Sequence, residues 1–307
     1  MSLHARAFAK INLGLEVLRR REDGYHEIRT ILQTIDFCDE LNFEDSDGEI
    51  RLAVDAKGVP TGPENLVHRA ARGLAEAAGY CGGCVIHLEK RVPPGRGLGG
   101  GSSDAAAALL ALDRLWGTRA PLEDLHRLAA GIGMDVPFFL YGGAALALGR
   151  GDEIHPLDRS FDFPIVLILP EFSISTAAAY GSLRLTNREP SLKLLHFAWG
   201  LPEARVEVGE LQNDLEEAAG EHSDSIQEYR RFLMDRGALT SMMSGSGSSV
   251  YGIFHDEASA ENAMRSPSLR GIQAIATRTL DGEACRASRL TYSAPFAQER
   301  NEEAKKP

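Results

Sequence analysis

The chain has 307 residues, 43% of them apolar, and a formal net charge of −11. That length suffices for one large or two moderate domains with cores of their own. The acidic balance leaves no broad cationic face for nucleic acid or for an anionic membrane, although a small phosphate site can still be built from backbone amides and one or two cations.

The longest apolar run, Phe163 to Pro170, falls far short of the ~20 residues of a membrane span. The opening MSLHARAFAK has neither the apolar stretch of a secretory signal nor the length of a transit peptide, so the expected location is a bacterial-type cytoplasm.

Residues Ala7 to Leu18 alternate with period two and predict a strand with one buried face: Ile11, Leu13, Leu15 and Val17 inward, Lys10, Asn12, Gly14 and Glu16 outward. REDGYHE is a turn broken at Asp-Gly. Strands are expected at Ile28 to Phe37 and from Asp39 to Phe43, then a polar loop or edge hairpin from Glu44 to Gly62. A helix follows from Asn65 to Ala78 and a strand from Val85 to Lys90. Ser102 to Trp116 predicts a strong Ala- and Leu-rich helix capped by Ser102 or Ser103, and Leu122 to Ala130 another. Ala144 to Leu148 is a strand.

The pattern restarts at the apolar strand Pro164 to Leu169, which predicts a second core. Helices are expected at Thr176 to Leu183, Gln212 to Ala219, Ser225 to Arg236 and Ala258 to Met264, and a strand at Gln273 to Thr279. A Gly/Ser loop, Ser244 to Ser249, precedes a further strand, and the tail 294–307 is polar and charged.

Of the four cysteines, Cys81 and Cys84 form a C-x-x-C. No second pair completes a zinc site, and the pair precedes a strand instead of following one as in a thioredoxin-like motif, so it reads as two thiols in a small-residue turn.

The segment PPGRGLGGGSSD, Pro93 to Asp104, carries the chemistry. Gly95, Gly97 and Gly100 match G-x-G-x-x-G. The dinucleotide reading fails because Pro93 and Pro94 separate strand from glycines, and no acidic residue closes a following strand. The P-loop reading fails because no lysine follows the glycines. What remains is a glycine-rich loop opening a helix, whose free amides and dipole favour phosphate oxygens. Ser102 and Ser103 can add hydroxyls to phosphate or to Mg²⁺. On the residues alone, Asp135 in GMDVPFF is better explained as a helix N-cap before Pro137 than as a base. Lys10 likewise reads as a solvated strand lysine, and Tyr25 and His26 as turn residues.

PPGRGLGGGSSDAAAALLAL resembles the signature of the GHMP kinases, the family of galactokinase, homoserine kinase and mevalonate kinase. AFAKINLGLEVLRRREDGYHEIRT resembles the family's first motif and SMMSGSGSSVYGIF its third, so the likeness covers most of the chain. Within the family, AKINL, DGYH, GLGGGSSDAA and GMDVPFF are most similar to the branch that phosphorylates a cytidyl diphosphate alcohol in non-mevalonate isoprenoid synthesis; DGYH discriminates best.

The resemblance implies an α+β, two-domain GHMP kinase fold. Residues 1–160 would form an ATP-binding domain like ribosomal protein S5 domain 2. Residues 161–293 would form a ferredoxin-like substrate domain. ATP and Mg²⁺ are the implied cofactors, with Ser103 a candidate metal ligand. A small cytidyl diphosphate substrate is the implied partner, with neither nucleic acid nor membrane, and the chain is expected to be a monomer or weak homodimer. Asp135 becomes the base that takes the acceptor hydroxyl's proton, and Lys10 its cationic partner.

The nucleotide contacts implied are Pro94, Gly95, Arg96, Gly97, Leu98, Gly99, Gly100, Gly101, Ser102, Ser103 and Asp104. On the substrate side stand Asn12, Tyr25 stacking on the base, His26 bonding its edge, Thr176, Tyr180, and the loop Ser244, Gly245, Ser246 and Gly247. Two rivals remain: another GHMP kinase of homoserine or mevalonate type, which has no need of Tyr25 and His26, and a non-catalytic nucleotide-binding sensor on the same fold.

Overall fold

The structure, a computed structural model, describes residues 2–183, 191–200, 206–265 and 272–293; the predicted polar tail lies outside the described residues. Two long strands, β1 (Ser2–Arg20) and β2 (His26–Ser46), form an antiparallel ribbon around the DGYH turn. The strand expected at Asp39 to Phe43 is the far half of β2. The polar segment after it contains β3 (Arg51–Val54), which lies parallel to a later strand.

Then come α1 (Leu66–Ala78), β4 (Gly83–Glu89), α2 (Gly100–Trp116), α3 (Leu122–Ile132), α4 (Val136–Tyr141), β5 (Ala144–Leu148) and β6 (Glu153–Pro156). Asn65, expected as the first helical residue, instead caps α1, its side chain accepting from Val67 N at 2.8 Å.

The second unit holds β7 (Pro164–Leu169), α5 (Thr176–Ser182), α6 (Lys193–Trp199), α7 (Ser223–Met234), β8 (Thr240–Met243), β9 (Val250–Ile253), α8 (Glu257–Met264) and β10 (Gln273–Arg278). Its sheet is four-stranded and antiparallel, in the order β10-β7-β9-β8. The helix expected at Gln212 to Ala219 is a shorter 3₁₀ turn, Asp214–Ala218. Its lead-in is held extended instead: Leu15 N donates to Gln212 O at 2.8 Å and Val17 N to the Asp214 carboxylate at 2.8 Å.

The chain then returns through α9 (Gly282–Arg289) and β11 (Leu290–Ser293), which pairs with β1. Residues expected to close the second domain therefore complete the first sheet, a seven-stranded one ordered β11-β1-β2-β4-β3 with β5 on β2 and β6 on β5.

The ribbon is buried on both faces. One core joins Leu3, Leu41 and Phe43 of the sheet to α1, α2 and α4. Ala105, Ala106 and Ala108 are fully buried there, and such small side chains let the α2 backbone approach the sheet closely. A second core joins Ile11, Leu13 and Ile31 to Ile165, Leu167, Met242 and Tyr251 of the other sheet. Tyr251 is fully buried and its hydroxyl donates to Asn12 O at 2.8 Å, pinning one sheet to the other. The outward face of β1 is thus not solvated as expected: Lys10 is 3% exposed and Asn12 2%.

Beneath the glycine loop lies a buried ionic triad. The Lys90 ammonium bonds the carboxylates of Asp39 and Asp104, the latter at 2.8 Å. Asp39 also accepts from the backbone N–H groups of Arg91 at 2.5 Å and Val92 at 2.7 Å, the residues that lead into the loop. Burial pushes the Asp104 carboxyl well above the usual carboxylate range; Lys90 opposes this and Asp39 adds to it. Burial draws Lys90 down, but Asp104 and Asp39 outweigh it and leave the ammonium above its ordinary value.

Removing the cation strands two buried carboxylates, so Lys90→Met should cost ~3–5 kcal/mol at neutral pH. In that variant the Asp104 carboxyl, already raised by burial, is protonated more easily folded than unfolded, so folded-state stability is lost as pH rises and regained as it falls. Urea unfolding at pH 7 and pH 5.5 should therefore give a smaller deficit at the lower pH; an equal deficit would remove the triad from this role.

Candidate active site

The two sheets meet in a cleft of about 1020 Å³, floored by β1 and walled by the glycine loop, the DGYH turn, α5 and the loop between β8 and β9. The glycine loop takes its shape from β1. Where the β1–β2 register breaks between Phe8 and Lys10, the Lys10 N–H turns to Leu98 O at 3.0 Å. Gly99, with φ +69°, is the N-cap of α2, three residues before the first of the serines that were expected to cap it. A Cβ there would lie 2.7 Å from the Phe139 ring. The early start rotates Ser103 inward: it is 3% exposed and its hydroxyl donates to Phe8 O at 2.7 Å.

Of the expected nucleotide contacts, Pro94 to Ser102 line the cleft. Ser103, also the expected metal ligand, and Asp104 face away from it, the one bonded to β1 and the other in the Lys90 triad. Of the two serines, Ser102 is the one that lines the cleft. Arg96 lines the cleft, but its guanidinium donates to Pro170 O, to Glu171 O at 2.5 Å and to Ser248 Oγ at 3.3 Å.

The second glycine loop is stitched to the first. Ser244 Oγ donates to Gly97 O at 2.8 Å and Ser249 N to Arg96 O at 3.2 Å. Asn213 holds it from behind, its side-chain amide donating to Met243 O at 2.9 Å and Gly245 O at 2.7 Å. Gly245 and Ser246 therefore face the cleft, while Ser244 and Gly247 serve the loop itself. Ser246 Oγ and Thr176 Oγ1 are 2.9 Å apart, which ties the loop to the start of α5.

Lys10 and Asp135 come together as the resemblance implies, Nζ to Oδ2 3.9 Å. Asp135 precedes α4, but its side chain makes no capping bond, so the carboxylate is left for the cleft. It is 42% exposed against 4% for the Lys10 side chain. Lys10 is oriented by a chain of buried bonds: Nζ to Asn12 Oδ1 at 2.6 Å, Asn12 Nδ2 to Thr30 Oγ1 at 2.8 Å, Thr30 Oγ1 to Gly14 O at 2.6 Å. Burial holds the Lys10 ammonium below the ordinary lysine value, with Asp135 opposing.

Arg21 and Asp23 build the DGYH turn: Arg21 Nε donates to Asp23 Oδ2 at 3.1 Å, and Tyr25 N to Asp23 Oδ1 at 3.1 Å. His26 stacks on Tyr180, ring centroids 5.0 Å apart, and Tyr25 stands 47% exposed with the Arg150 guanidinium 5.2 Å from its ring. Burial, helped by the Arg20 charge, holds His26 below the ordinary histidine value. The sequence reading did not count Arg20, Arg150, Leu66 or Met134 as contacts, and it placed Pro93 in the glycine-rich segment without counting it as one; all five line the cleft.

A carboxylate beside a fixed ammonium, facing two amide-rich glycine loops, can take a proton from an alcohol while a phosphoryl group is held opposite. GHMP kinases N terminal domain matches residues 65–143 and GHMP kinases C terminal matches residues 198–271. A 4-diphosphocytidyl-2-C-methyl-D-erythritol kinase of Chlorobium limicola is 41% identical over 86% of this chain and 92% of its own.

The chain belongs to the GHMP kinases. The same-named enzyme of Geobacter sulfurreducens is 40% identical over 91% of this chain and 99% of its own. Among solved structures, a 4-(cytidine 5'-diphospho)-2C-methyl-D-erythritol kinase superposes with a TM-score of 0.74 at 37% identity, over 90% of this chain and 98% of that one. A homoserine kinase from Cytophaga hutchinsonii, TM-score 0.70 at 21% identity over 92% and 96%, shares this GHMP fold.

The two loops touch most closely at Gly97, whose φ is +75° and whose added Cβ would lie 2.0 Å from Ser244 O, a backbone atom that cannot swing away. Gly97→Ala should therefore part the loops and destabilise the fold by ~1–3 kcal/mol. Thermal unfolding checks this; a variant as stable as the parent would mean that the loops are not held together there.

Proposed function

We infer that this GHMP kinase transfers the γ-phosphoryl group of ATP to the 2-hydroxyl of 4-diphosphocytidyl-2-C-methyl-D-erythritol, a step of non-mevalonate isoprenoid-precursor synthesis. The observation that carries the reading is the DGYH turn. Tyr25 and His26 share one cleft with the Lys10–Asp135 pair, in a chain about 40% identical to relatives of that name over most of both lengths. A homoserine or mevalonate acceptor offers nothing for that aromatic end to bind. The intact pair also argues against a sensor without catalysis.

The cytidyl end lies between Tyr25, His26 and Tyr180, whose faces offer stacking to a base. His26, held neutral, has one ring nitrogen to donate and one to accept at the base edge. The acceptor hydroxyl then reaches Asp135. The carboxylate takes its proton as the oxygen attacks the γ-phosphorus, and the bond to the ADP oxygen breaks. Lys10 stabilises the carboxylate and the charge that develops on the acceptor oxygen. Amides of the glycine loop and the N-terminus of α2 hold the ATP phosphates, and Gly245 and Ser246 close on the transferring group from the other side.

Mg²⁺ fits this donor set as an ion carried by the nucleotide. Among the described residues no group of three or more His, Cys, Asp or Glu could hold a metal, whereas the Ser102 hydroxyl lies on the cleft at the phosphate end. When bound, the ion neutralises charge on the β- and γ-oxygens. Among the described residues no helix is long and apolar enough to cross a membrane. A cytoplasmic location and a monomer or weak dimer complete the proposal.

Asp135→Asn should lower turnover of the cytidyl acceptor by ~10²–10⁴-fold, the usual contribution of a positioned base, with nucleotide affinity retained. Near-parental turnover would remove Asp135 as base. In the parent protein, turnover should fall at alkaline pH as Lys10 loses its proton. That fall should be centred below the ordinary lysine value of about 10.4, because burial disfavours the ammonium.

A further inference from the structure

Arg96 stands in the middle of the nucleotide loop, where a cation would ordinarily be counted as a phosphate ligand. Its guanidinium points elsewhere. Both terminal nitrogens are engaged by the second unit: Nη1 by Pro170 O and by Ser248 Oγ at 3.3 Å, Nη2 by Glu171 O at 2.5 Å. These acceptors belong to the segment that leaves β7 and the loop that precedes β9. Ser248 Oγ in turn donates to Phe172 O, so the same two segments are also joined to each other. Four residues beyond Phe172 the chain enters α5, whose Thr176 and Tyr180 face the acceptor end of the cleft.

The loop carries two further links to the second unit, Arg96 O from Ser249 N and Gly97 O from Ser244 Oγ. Those hold the backbone; among the loop's hydrogen bonds to described residues, those of the guanidinium are the ones that reach the Pro170–Phe172 segment. Its planar fork suits several convergent carbonyls, which a lysine ammonium serves poorly.

We propose that Arg96 is a positioning residue that clamps the nucleotide loop to the Pro170–Phe172 segment, and so sets α5 for the acceptor substrate while leaving the nucleotide phosphates to the loop amides. The clamp makes the register between donor and acceptor depend on a residue that touches neither reacting group. Its kinetic consequence rests on the kinase reading above; its structural consequence does not.

The test has two arms, on Arg96→Ala and Arg96→Lys. In hydrogen exchange of the whole chain, Arg96→Ala should speed exchange in 95–101 and in 170–176 together, whereas unchanged exchange in 170–176 would overturn the clamp. In steady-state assays with the cytidyl acceptor, kcat over the acceptor KM should fall by ~3- to 30-fold, the range expected of a coupling residue. The Kd of a non-hydrolysable ATP analogue should stay within about twofold, because the phosphates keep their backbone donors.

Arg96→Lys keeps the charge but loses the fork, so it should repeat the acceptor-side defect. If instead the analogue's Kd rises at least tenfold in Arg96→Ala and recovers in Arg96→Lys, Arg96 is a phosphate ligand and the proposal is wrong. If both variants turn over like the parent, the clamp has no kinetic role and the proposal is equally wrong. Should the parent not phosphorylate the cytidyl acceptor at all, the kinase reading fails on its own, and the exchange arm still decides the clamp.

Discussion

A lysine ammonium withdrawn from water has to be held by its surroundings, and much of this cleft is organised around that requirement. Lys10 is buried to 3% exposure in the middle of β1. A charge so placed is tolerated only with partners of good geometry. Asn12 supplies a bond at 2.6 Å and Asp135 an opposite charge at 3.9 Å. Asn12 is itself fixed by Thr30, across the ribbon, and its carbonyl accepts the Tyr251 hydroxyl from the second sheet. The ammonium therefore draws on both strands of the β1–β2 ribbon, on the loop before α4 and on the sheet opposite. The carboxylate that faces it stays open to the cleft.

The second constraint is the approach of two glycine loops. Neither encloses a phosphate site by itself. The first is bent by the β1–β2 register break, which frees the Lys10 amide for Leu98 O, and supported from below by Asp39, Lys90 and Asp104. The second is carried on the β8–β9 connection and held by Asn213. Their contact at Gly97 and Ser244 brings together groups about 150 positions apart in sequence, which local propensity has no means to arrange. The return of α9 and β11 to the first sheet closes the same arrangement covalently, since the second unit is inserted between two parts of the first.

Much of this was legible in the sequence where local chemistry decides the outcome. Alternation marked β1, Asn65 marked the start of α1, and the apolar run Pro164 to Leu169 marked the second core. The motifs marked Lys10, Asp135 and the glycine loop because their residue types and order resemble a known signature. What stayed hidden was orientation. Ser102 and Ser103 looked like interchangeable caps, but the early start at Gly99 sends one hydroxyl to the cleft and the other to Phe8 O. Asp104 lies two residues past Ser102 and turns to a buried lysine. The polar face of β1 looked solvated because period two reports sidedness and cannot report that a second sheet and a helix cover both sides. Arg150 is more than 120 positions from the DGYH turn and meets it only in three dimensions, whereas Arg20 sits opposite His26 at the turn's base and was passed over inside the quoted motif.

These constraints converge on one statement about chemistry: the cleft joins a phosphate-holding end and an aromatic end across a single base. The most direct measurement is ADP release by the purified full chain, supplied with ATP and Mg²⁺ and, in turn, 4-diphosphocytidyl-2-C-methyl-D-erythritol, homoserine and mevalonate, with the position of the new phosphate read by phosphorus NMR. The expected result is ADP formed at one equivalent per acceptor with the cytidyl alcohol alone, and the phosphate on its 2-oxygen. ADP release with homoserine or mevalonate and none with the cytidyl alcohol would contradict the account.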